Sequence, residues 1–154
     1  VLNLMGNVFM KKCDDVFKAA EIFKNKYRLK EDYDFLVVDF HGETTSEKMA
    51  MGHFFDGKAT LVVGTHTHVP TNDVRILTNG TAYQTDAGMC GDYDSVIGMD
   101  KTNSLNRFLR KKDSSKNFPS EGNVTLSGLI VECDTSNGLA KKSEPFIFGG
   151  ELKK

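Results

Sequence analysis

Apolar residues in the first half of the chain form two short continuous runs separated by a segment with helical spacing. The runs Phe35–Phe40 and Thr60–Val63 are rich in aromatic and β-branched residues, which is typical of strands buried on both faces. Between them, Thr44 and Glu47 have the spacing of a capping box, which predicts a helix that ends near Gly57. A strand, helix, strand unit of this kind predicts a parallel pair with a right-handed crossover.

The residues before this unit predict one more strand and one more helix. Aliphatic residues begin at once in Val1–Gly6, without a polar lead-in, and predict a strand already under way. Asp14 and Asp15 precede apolar residues spaced three to four apart, which predicts a helix with acids at its positive end. We therefore expect an α/β fold, with residues 1–154 in a single domain.

The second half of the chain is predicted to be largely antiparallel. Val74–Leu77 and Thr81–Thr85 flank an Asn79-Gly80 turn and predict a hairpin. The segments that follow are a glycine-rich loop over 86–98, a short basic helix over 102–110, an exposed polar loop over 113–123, and a hairpin of residues 124–133 and 140–148.

Composition narrows the range of partners and compartments. The chain has 39% apolar residues, 27% charged residues and a net charge of -1, so it is neither a disordered chain nor a basic binder of bulk nucleic acid. No apolar run approaches the roughly 20 residues of a membrane span, and no signal peptide pattern is present. Cys13, Cys90 and Cys133 form no Cys-x-x-Cys pair, which suits reduced thiols. We expect a cytoplasmic protein without a membrane segment.

Histidines carry the main chemical signal. Of the four in the chain, His41, His66 and His68 follow the carboxyl ends of two neighbouring predicted strands, where ligands of open α/β sheets collect. Neutral imidazole is the commonest ligand for zinc, iron and manganese. We predict these three as metal ligands, with Gly64 allowing a sharp turn before them. His53 lies within a predicted helix and is expected to pack or to contact solvent.

Other charged residues are weaker candidates. Asp86, Asp92, Asp94 and Asp100 lie in or beside the glycine-rich loop, where acids are more often turn formers or caps than catalytic groups. A basic cluster near the short helix is interpreted as a solvated face rather than a phosphate site; it consists of Arg107, Arg110, Lys111 and Lys112.

Four segments occur in a specific order and spacing along the chain: Phe40–Lys48, Val62–Val69, Thr85–Met89 and Ile97–Asp100. A single His-x-His is weak evidence, but together these segments resemble the calcineurin-like metallophosphoesterases, in particular the small bacterial 2′,3′-cyclic-nucleotide phosphodiesterases. The resemblance extends roughly from Val1 to Gly149 and implies the C-terminal part of a four-layer α/β/β/α sandwich.

The same resemblance implies two transition metals, iron, manganese or zinc, and a phosphodiester or cyclic nucleotide substrate. His41 and His66 would ligate one metal and His68 the other. The family's N-terminal aspartate, bridging acid and Asn-His pair have no counterpart here. Asp39 faces the same side of its strand as His41 but lies roughly 7 Å deeper, which makes it a poor bridge. We therefore expect a partial or empty site and weak or absent turnover by this chain alone, and we assign no catalytic residue.

Two alternatives remain open at this point. Amidohydrolases also place a His-x-His after a strand, but they need further ligands downstream, and no histidine follows His68. A non-catalytic half-domain that works by association is the other possibility, because the opening strand would leave a sheet edge available for a homo-oligomer or another chain.

Overall fold

The computed structural model describes residues 1–11, 13–111 and 116–152. The predicted order of strands and helices is confirmed, with one additional short strand in the glycine-rich loop. The elements in chain order are β1 (Leu2–Met5), α1 (Val16–Lys26), β2 (Val37–His41), α2 (Thr45–Phe54), β3 (Leu61–Thr65), β4 (Arg75–Ile76), β5 (Ala82–Gln84), β6 (Gly91–Asp92), α3 (Lys101–Phe108), β7 (Val124–Cys133) and β8 (Ala140–Phe148).

The main sheet has five strands in the order β1-β2-β3-β5-β4. The first four are parallel, and the register pairs His41 of β2 with Thr65 of β3. The predicted parallel pair is thus confirmed. The predicted hairpin is confirmed as well, since Ile76 of β4 pairs antiparallel with Ala82 of β5. β5 also pairs with β3, a contact that turn chemistry does not predict.

Gly64 allows this β3–β5 contact. A Cβ atom at this position would overlap the Thr85 carbonyl group. The expectation of a sharp turn at Gly64 is therefore wrong, because the glycine serves a close approach of two backbones. The turn itself is made by His66 and His68, whose φ angles are 112° and 66°.

Helices α1 and α2 cover one face of the main sheet. Alternate strand residues such as Val38, Phe40 and Val62 point toward them and are almost fully buried. Ala20 of α1 and Met51 of α2 complete this core without exposed surface.

The opposite face of the main sheet packs against a second sheet with the strand order β6-β7-β8. Leu61, Val63 and Ala82 form this core, with Leu129 and Val131 of β7 partly buried against them. The described residues therefore build a helix layer, a mixed sheet and an antiparallel sheet. This confirms the predicted α/β class, and the fourth layer of the expected sandwich stays a prediction.

Side chains at the helix starts partly follow the sequence prediction. Asp15 accepts a hydrogen bond from the Lys18 N–H at 3.1 Å and caps α1. The capping box at α2 is wrong, since the Thr44 hydroxyl makes no capping bond. Glu47 accepts instead from the backbone N–H groups of Asn7 and Val8 at 2.9 and 3.3 Å. It thereby fixes the loop after β1 onto α2.

None of the helices in the described ranges is long and apolar enough to cross a membrane. Lys112 and part of the predicted loop over 113–123 lie outside the described residues.

Candidate functional site

The carboxyl ends of β2 and β3 bring two of the predicted histidines into contact. His41 is the last residue of β2, and His66 follows the last residue of β3. The Nε2 atom of His41 lies 2.9 Å from the Nδ1 atom of His66. Their rings are nearly perpendicular, at 88° with centroids 4.7 Å apart. The predicted meeting of these side chains at one sheet edge is thus confirmed.

A chain of hydrogen bonds orients the His41 ring. Asp39 accepts from the Asn3 amide at 2.8 Å and from the Thr65 hydroxyl at 3.2 Å. Since Thr65 donates its proton to Asp39, its oxygen accepts from Nδ1–H of His41, 3.1 Å away. The network therefore assigns the Nδ1–H tautomer to His41. The Nε2 lone pair then faces His66.

Glu43 holds the other side of the His66 ring. Its Oε2 atom lies 2.7 Å from Nε2 of His66, so both ring nitrogens of His66 have partners. The sequence reasoning gave Glu43 no role. The available signal was its position two residues beyond His41, on the same sheet edge.

The environment of His41 favours its neutral form. Burial lowers the pKa of His41, and the neighbouring His66 lowers it further, while Asp39 acts in the opposite direction. Because only a neutral imidazole ligates a metal, this shift keeps His41 competent as a ligand at lower pH than an ordinary histidine.

A buried ion pair fixes the backbone of the His66-Thr67-His68 turn. The Thr67 N–H donates to Oδ2 of Asp86 at 3.0 Å, and Nζ of Lys48 donates to the same oxygen at 2.8 Å. The Lys48 and Asp86 side chains are 1% and 0% exposed. Since both histidines have left-handed backbone conformations, which non-glycine residues rarely adopt, this anchor holds a conformation that the chain would otherwise disfavour.

Asp86 stays ionised in this buried position. Burial would raise its pKa, but hydrogen bonds from Lys48 and from the backbone of Thr67 and Gly88 outweigh burial and lower the pKa. The carboxylate is therefore part of the support for the turn. Its side chain is fully enclosed, with 0% exposed.

His68 points to a different partner. Its Nδ1 atom lies 2.8 Å from the carbonyl oxygen of Ile97. A carbonyl only accepts, so Nδ1 carries the proton and Nε2 is left with a lone pair for a ligand. No group of three or more His, Cys, Asp or Glu side chains in the described part of the chain has metal-binding geometry. His68 therefore shares the turn with His66 but does not join the His41–His66 contact.

The remaining candidate acids have structural partners. Asp92 accepts from the backbone N–H groups of Asp94 and Gly122 at 2.8 and 3.2 Å. Asp94 forms an ion pair with Lys101, and Asp100 caps α3. This confirms the interpretation of Asp92 as a turn former and of Asp100 as a cap, whereas Asp94 forms an exposed ion pair instead.

Two other expectations are confirmed by exposure. His53 lies in the last turn of α2 and is exposed to solvent. The described members of the basic cluster are exposed as well, as a solvated face requires; they are Arg107, Arg110 and Lys111.

The side chains at this sheet edge could supply the imidazole ligands of a metal centre, but they do not supply a free carboxylate. His41 and His68 each direct an Nε2 lone pair away from their hydrogen-bonded Nδ1. Carboxylates near them are already engaged: Asp39 bonds Asn3 and Thr65, and Glu43 bonds His66. No carboxylate of the described residues joins these histidines in a group that could hold a metal ion, so the described part of the chain supplies no bridging acid.

The architecture defines a mixed α/β protein whose candidate site lies beyond the carboxyl ends of its parallel strands. The chain belongs to the YmdB-like protein family, whose pattern matches residues 1–146. This confirms the resemblance seen in the sequence and makes the amidohydrolase alternative wrong.

One curated relative is named for an enzymatic activity. The chain is 43% identical over 152 residues to the 2′,3′-cyclic-nucleotide 2′-phosphodiesterase of Bacillus subtilis, and the match covers 98% of this chain and 56% of that protein. The chain spans about half the length of the curated relatives it matches.

Two crystal structures share the fold. A hypothetical protein from Thermus thermophilus superposes with a TM-score of 0.85 at 36% identity, over 97% of this chain and 56% of the other. A novel phosphatase of Mycoplasma pneumoniae gives a TM-score of 0.85 at 37% identity, over 96% of this chain and 52% of the other. By their names, these similar proteins include a phosphodiesterase and a phosphatase.

Proposed function

We propose that this chain forms the histidine-bearing part of a metal-dependent phosphodiesterase that hydrolyses phosphodiesters such as 2′,3′-cyclic nucleotides. The observation that carries the proposal is the 2.9 Å contact between Nε2 of His41 and Nδ1 of His66 at the carboxyl edge of the sheet. It occurs in a chain 43% identical to a protein named a 2′,3′-cyclic-nucleotide 2′-phosphodiesterase.

In this proposal His41 and His66 ligate one metal and His68 the second, with iron, manganese or zinc as the ions. When bound, two such metals activate water and offset charge on the phosphoryl oxygens. The direction of the hydrogen bonds supports the assignment, since the lone pairs of His41 and His68 are on Nε2.

The chain's own residues prepare these ligands. Thr65 fixes the tautomer of His41, and Glu43 orients His66 and accepts its Nε2 proton in a hydrogen bond. Lys48 and Asp86 hold the backbone of the turn between His66 and His68. Substrate binding and charge neutralisation need further groups, because three imidazoles bring no negative charge to hold two cations.

We infer that this chain alone has weak or no turnover and that activity needs the additional length of its relatives. The missing bridging acid supports this, as does coverage of 56% of the Bacillus subtilis protein. β1 supplies a surface for association because it lies at the edge of the main sheet. A second copy or the rest of a longer protein would pair there.

Free Cys13, Cys90 and Cys133 fit a reducing compartment such as the cytoplasm.

Metal content per chain, measured by elemental analysis after dialysis against zinc or manganese, tests the ligand assignment. We expect one equivalent or less, lost in a His66→Ala, His68→Ala variant. His53→Ala is the matched control, since His53 is exposed and away from the site, and it should keep the metal. Metal content unchanged by loss of His66 and His68 would refute the ligand assignment.

Turnover is a separate test. Hydrolysis of a generic phosphodiester by this chain should be absent or very slow. Rapid hydrolysis abolished by His66→Ala would contradict the inferred need for further residues, while supporting the ligands. Binding of about two equivalents of metal per chain would also contradict the inferred need for further residues.

A further inference from the structure

A second concave site lies next to His68, between the turn that follows β6 and helix α3. The pocket has a volume of about 370 Å³, within the range of small-molecule sites. Its lining is mainly apolar, with two polar side chains and a buried serine; the residues are Val96, Ile97, Met99, Ser104, Arg107, Phe108 and Asn117.

The wall nearest the candidate metal site is a rigid turn. Val96 and Met99 exchange two backbone hydrogen bonds of 3.0 Å around Ile97 and Gly98. Both central residues have positive φ, 50° and 87°, and this is a rare conformation for the β-branched Ile97. The turn directs the Ile97 carbonyl to Nδ1 of His68. One residue thus contacts the proposed metal ligand and lines the pocket.

The opposite wall offers an exposed aromatic ring and a guanidinium group. Phe108 is 81% exposed at the end of α3. In the described part of the chain, the Arg107 guanidinium has no hydrogen-bond or ion-pair partner. Apolar walls with one aromatic face and one guanidinium suit a flat, polar-edged ring system, because bases stack on aromatic or guanidinium planes and accept hydrogen bonds at their edges.

We propose that this pocket binds the nucleobase of the nucleotide whose phosphate is held at the histidine site. The inference rests on the proposed function for the position of the phosphate, while the base contacts are independent of any metal. The His68–Ile97 bond places the two sites side by side, as the ribose between a base and its phosphate requires. The pocket would give the enzyme a preference for nucleotides over simple phosphodiesters.

Binding of nucleotides to this chain in the presence of a chelator tests the proposal without depending on catalysis or metal. The probes are adenosine 3′-phosphate and ribose 3-phosphate, which differ in the presence of a base, and the readout is perturbation of backbone amide resonances. We expect the adenosine nucleotide to shift the amides of Ile97, Met99 and Arg107, and ribose 3-phosphate to leave them in place.

Phe108→Ala should weaken binding of the nucleotide about fivefold or more, the scale of losing one stacked base. Phe108→Tyr should retain binding. Leu109→Ala is the matched control, because Leu109 is the next residue, is 57% exposed and does not line the pocket. The high exposure of Phe108 means that the fold should survive, and a thermal melt would verify this.

Equal binding of both probes, or none at the highest soluble concentration, would overturn the nucleobase assignment. Concentration-dependent self-association that Phe108→Ala abolishes would overturn it too, because the patch would then be an interface between copies. Neither result affects the metal assignment, which the histidine variants test.

Discussion

Nε2 of His41 and Nδ1 of His66 lie 2.9 Å apart although the two residues are 25 positions apart in the chain. The contact follows from the sheet register, in which His41 pairs with Thr65 and so brings the next residue alongside. The tautomer of His41 leaves a lone pair on its Nε2, so Nδ1–H of His66 donates in this contact. Under the proposed ligand assignment, metal binding would compete with this proton.

The first prediction concerns the pKa of His41. In the metal-free chain it should titrate below its ordinary value of 6.5, because of burial and the neighbouring His66. His66→Ala should move it upward by removing the second cause. Histidine ring resonances followed by NMR against pH give both values. The matched control His53→Ala should leave the titration of His41 unchanged, and an unchanged His41 in His66→Ala would contradict the electrostatic coupling.

Thr65→Val tests the orientation of the His41 ring. Valine has nearly the same shape but removes the hydroxyl that accepts from Nδ1–H. His41 should then lose its single tautomer, and affinity for zinc should fall by about 10- to 100-fold, the usual effect of losing a group that orients a ligand. Ring nitrogen chemical shifts report the tautomer, and calorimetry reports the affinity.

Thr135→Val is the control for this substitution, since Thr135 is exposed in the β7–β8 turn. If Thr65→Val kept both the Nδ1–H tautomer and the affinity, the hydrogen-bond chain from Asp39 would have no part in orienting His41.

The strands, the helices and the contact between His41 and His66 follow from sequence patterns. Buried runs give β2 and β3, and the rule for parallel strands places their carboxyl ends at one edge. The β3–β5 pairing does not follow, because the sequence signals only the β4–β5 hairpin, and the sheet accepts β5 where Gly64 allows close approach to Thr85.

The support for the site was harder to predict for a different physical reason. Lys48 and Asp86 are 38 residues apart and belong to a helix and a loop, where lysine and aspartate are usually solvated. Local patterns do not reveal that both are buried. Glu47 illustrates the same limit. Its spacing from Thr44 predicts a capping box, but in the folded chain its carboxylate accepts hydrogen bonds from the backbone N–H groups of Asn7 and Val8.

The Lys48–Asp86 pair should be strongly coupled in stability. Lys48→Met alone leaves a buried carboxylate without its cation and should cost about 3–5 kcal/mol in the free energy of unfolding. A Lys48→Met, Asp86→Asn variant should recover part of this loss, because asparagine is neutral and still accepts from the backbone N–H of Thr67. Urea denaturation of the two single variants and the double variant measures the coupling.

The Lys48 and Asp86 variants also test whether this ion pair positions the His66-Thr67-His68 turn or only stabilises the fold. If the pair positions the turn, Asp86→Asn should shift the ring resonances of His66 and His68 under conditions where the chain is fully folded. Those of His53 should not move. Uniform loss of stability without any local change at His66 and His68 would argue for a structural role alone.

Asp73 should make the stability of the chain depend on pH in the acid range. Burial would raise its pKa, but hydrogen bonds from Thr71, Thr85 and Arg75 outweigh burial and hold the pKa below the ordinary 3.8. The unfolded chain therefore binds this proton at higher pH than the folded chain. The stabilisation is complete above 3.8 and is lost as pH falls through the folded value.

Asp73→Asn removes this titration and should cost about 1–2 kcal/mol in the free energy of unfolding at neutral pH. The carboxylate accepts hydrogen bonds on both of its oxygens, whereas asparagine has a single acceptor oxygen. The difference in unfolding free energy between the two proteins should shrink as pH falls below 3.8. Urea denaturation at a series of pH values measures it, with Asp32→Asn, an exposed carboxylate near α1, as the control. Since Asp86 is common to both proteins, its own titration cancels in the comparison. A difference that stayed constant down to the acid limit would show that the Asp73 carboxylate does not couple the loop before β4 to Thr85 in the way the hydrogen bonds indicate.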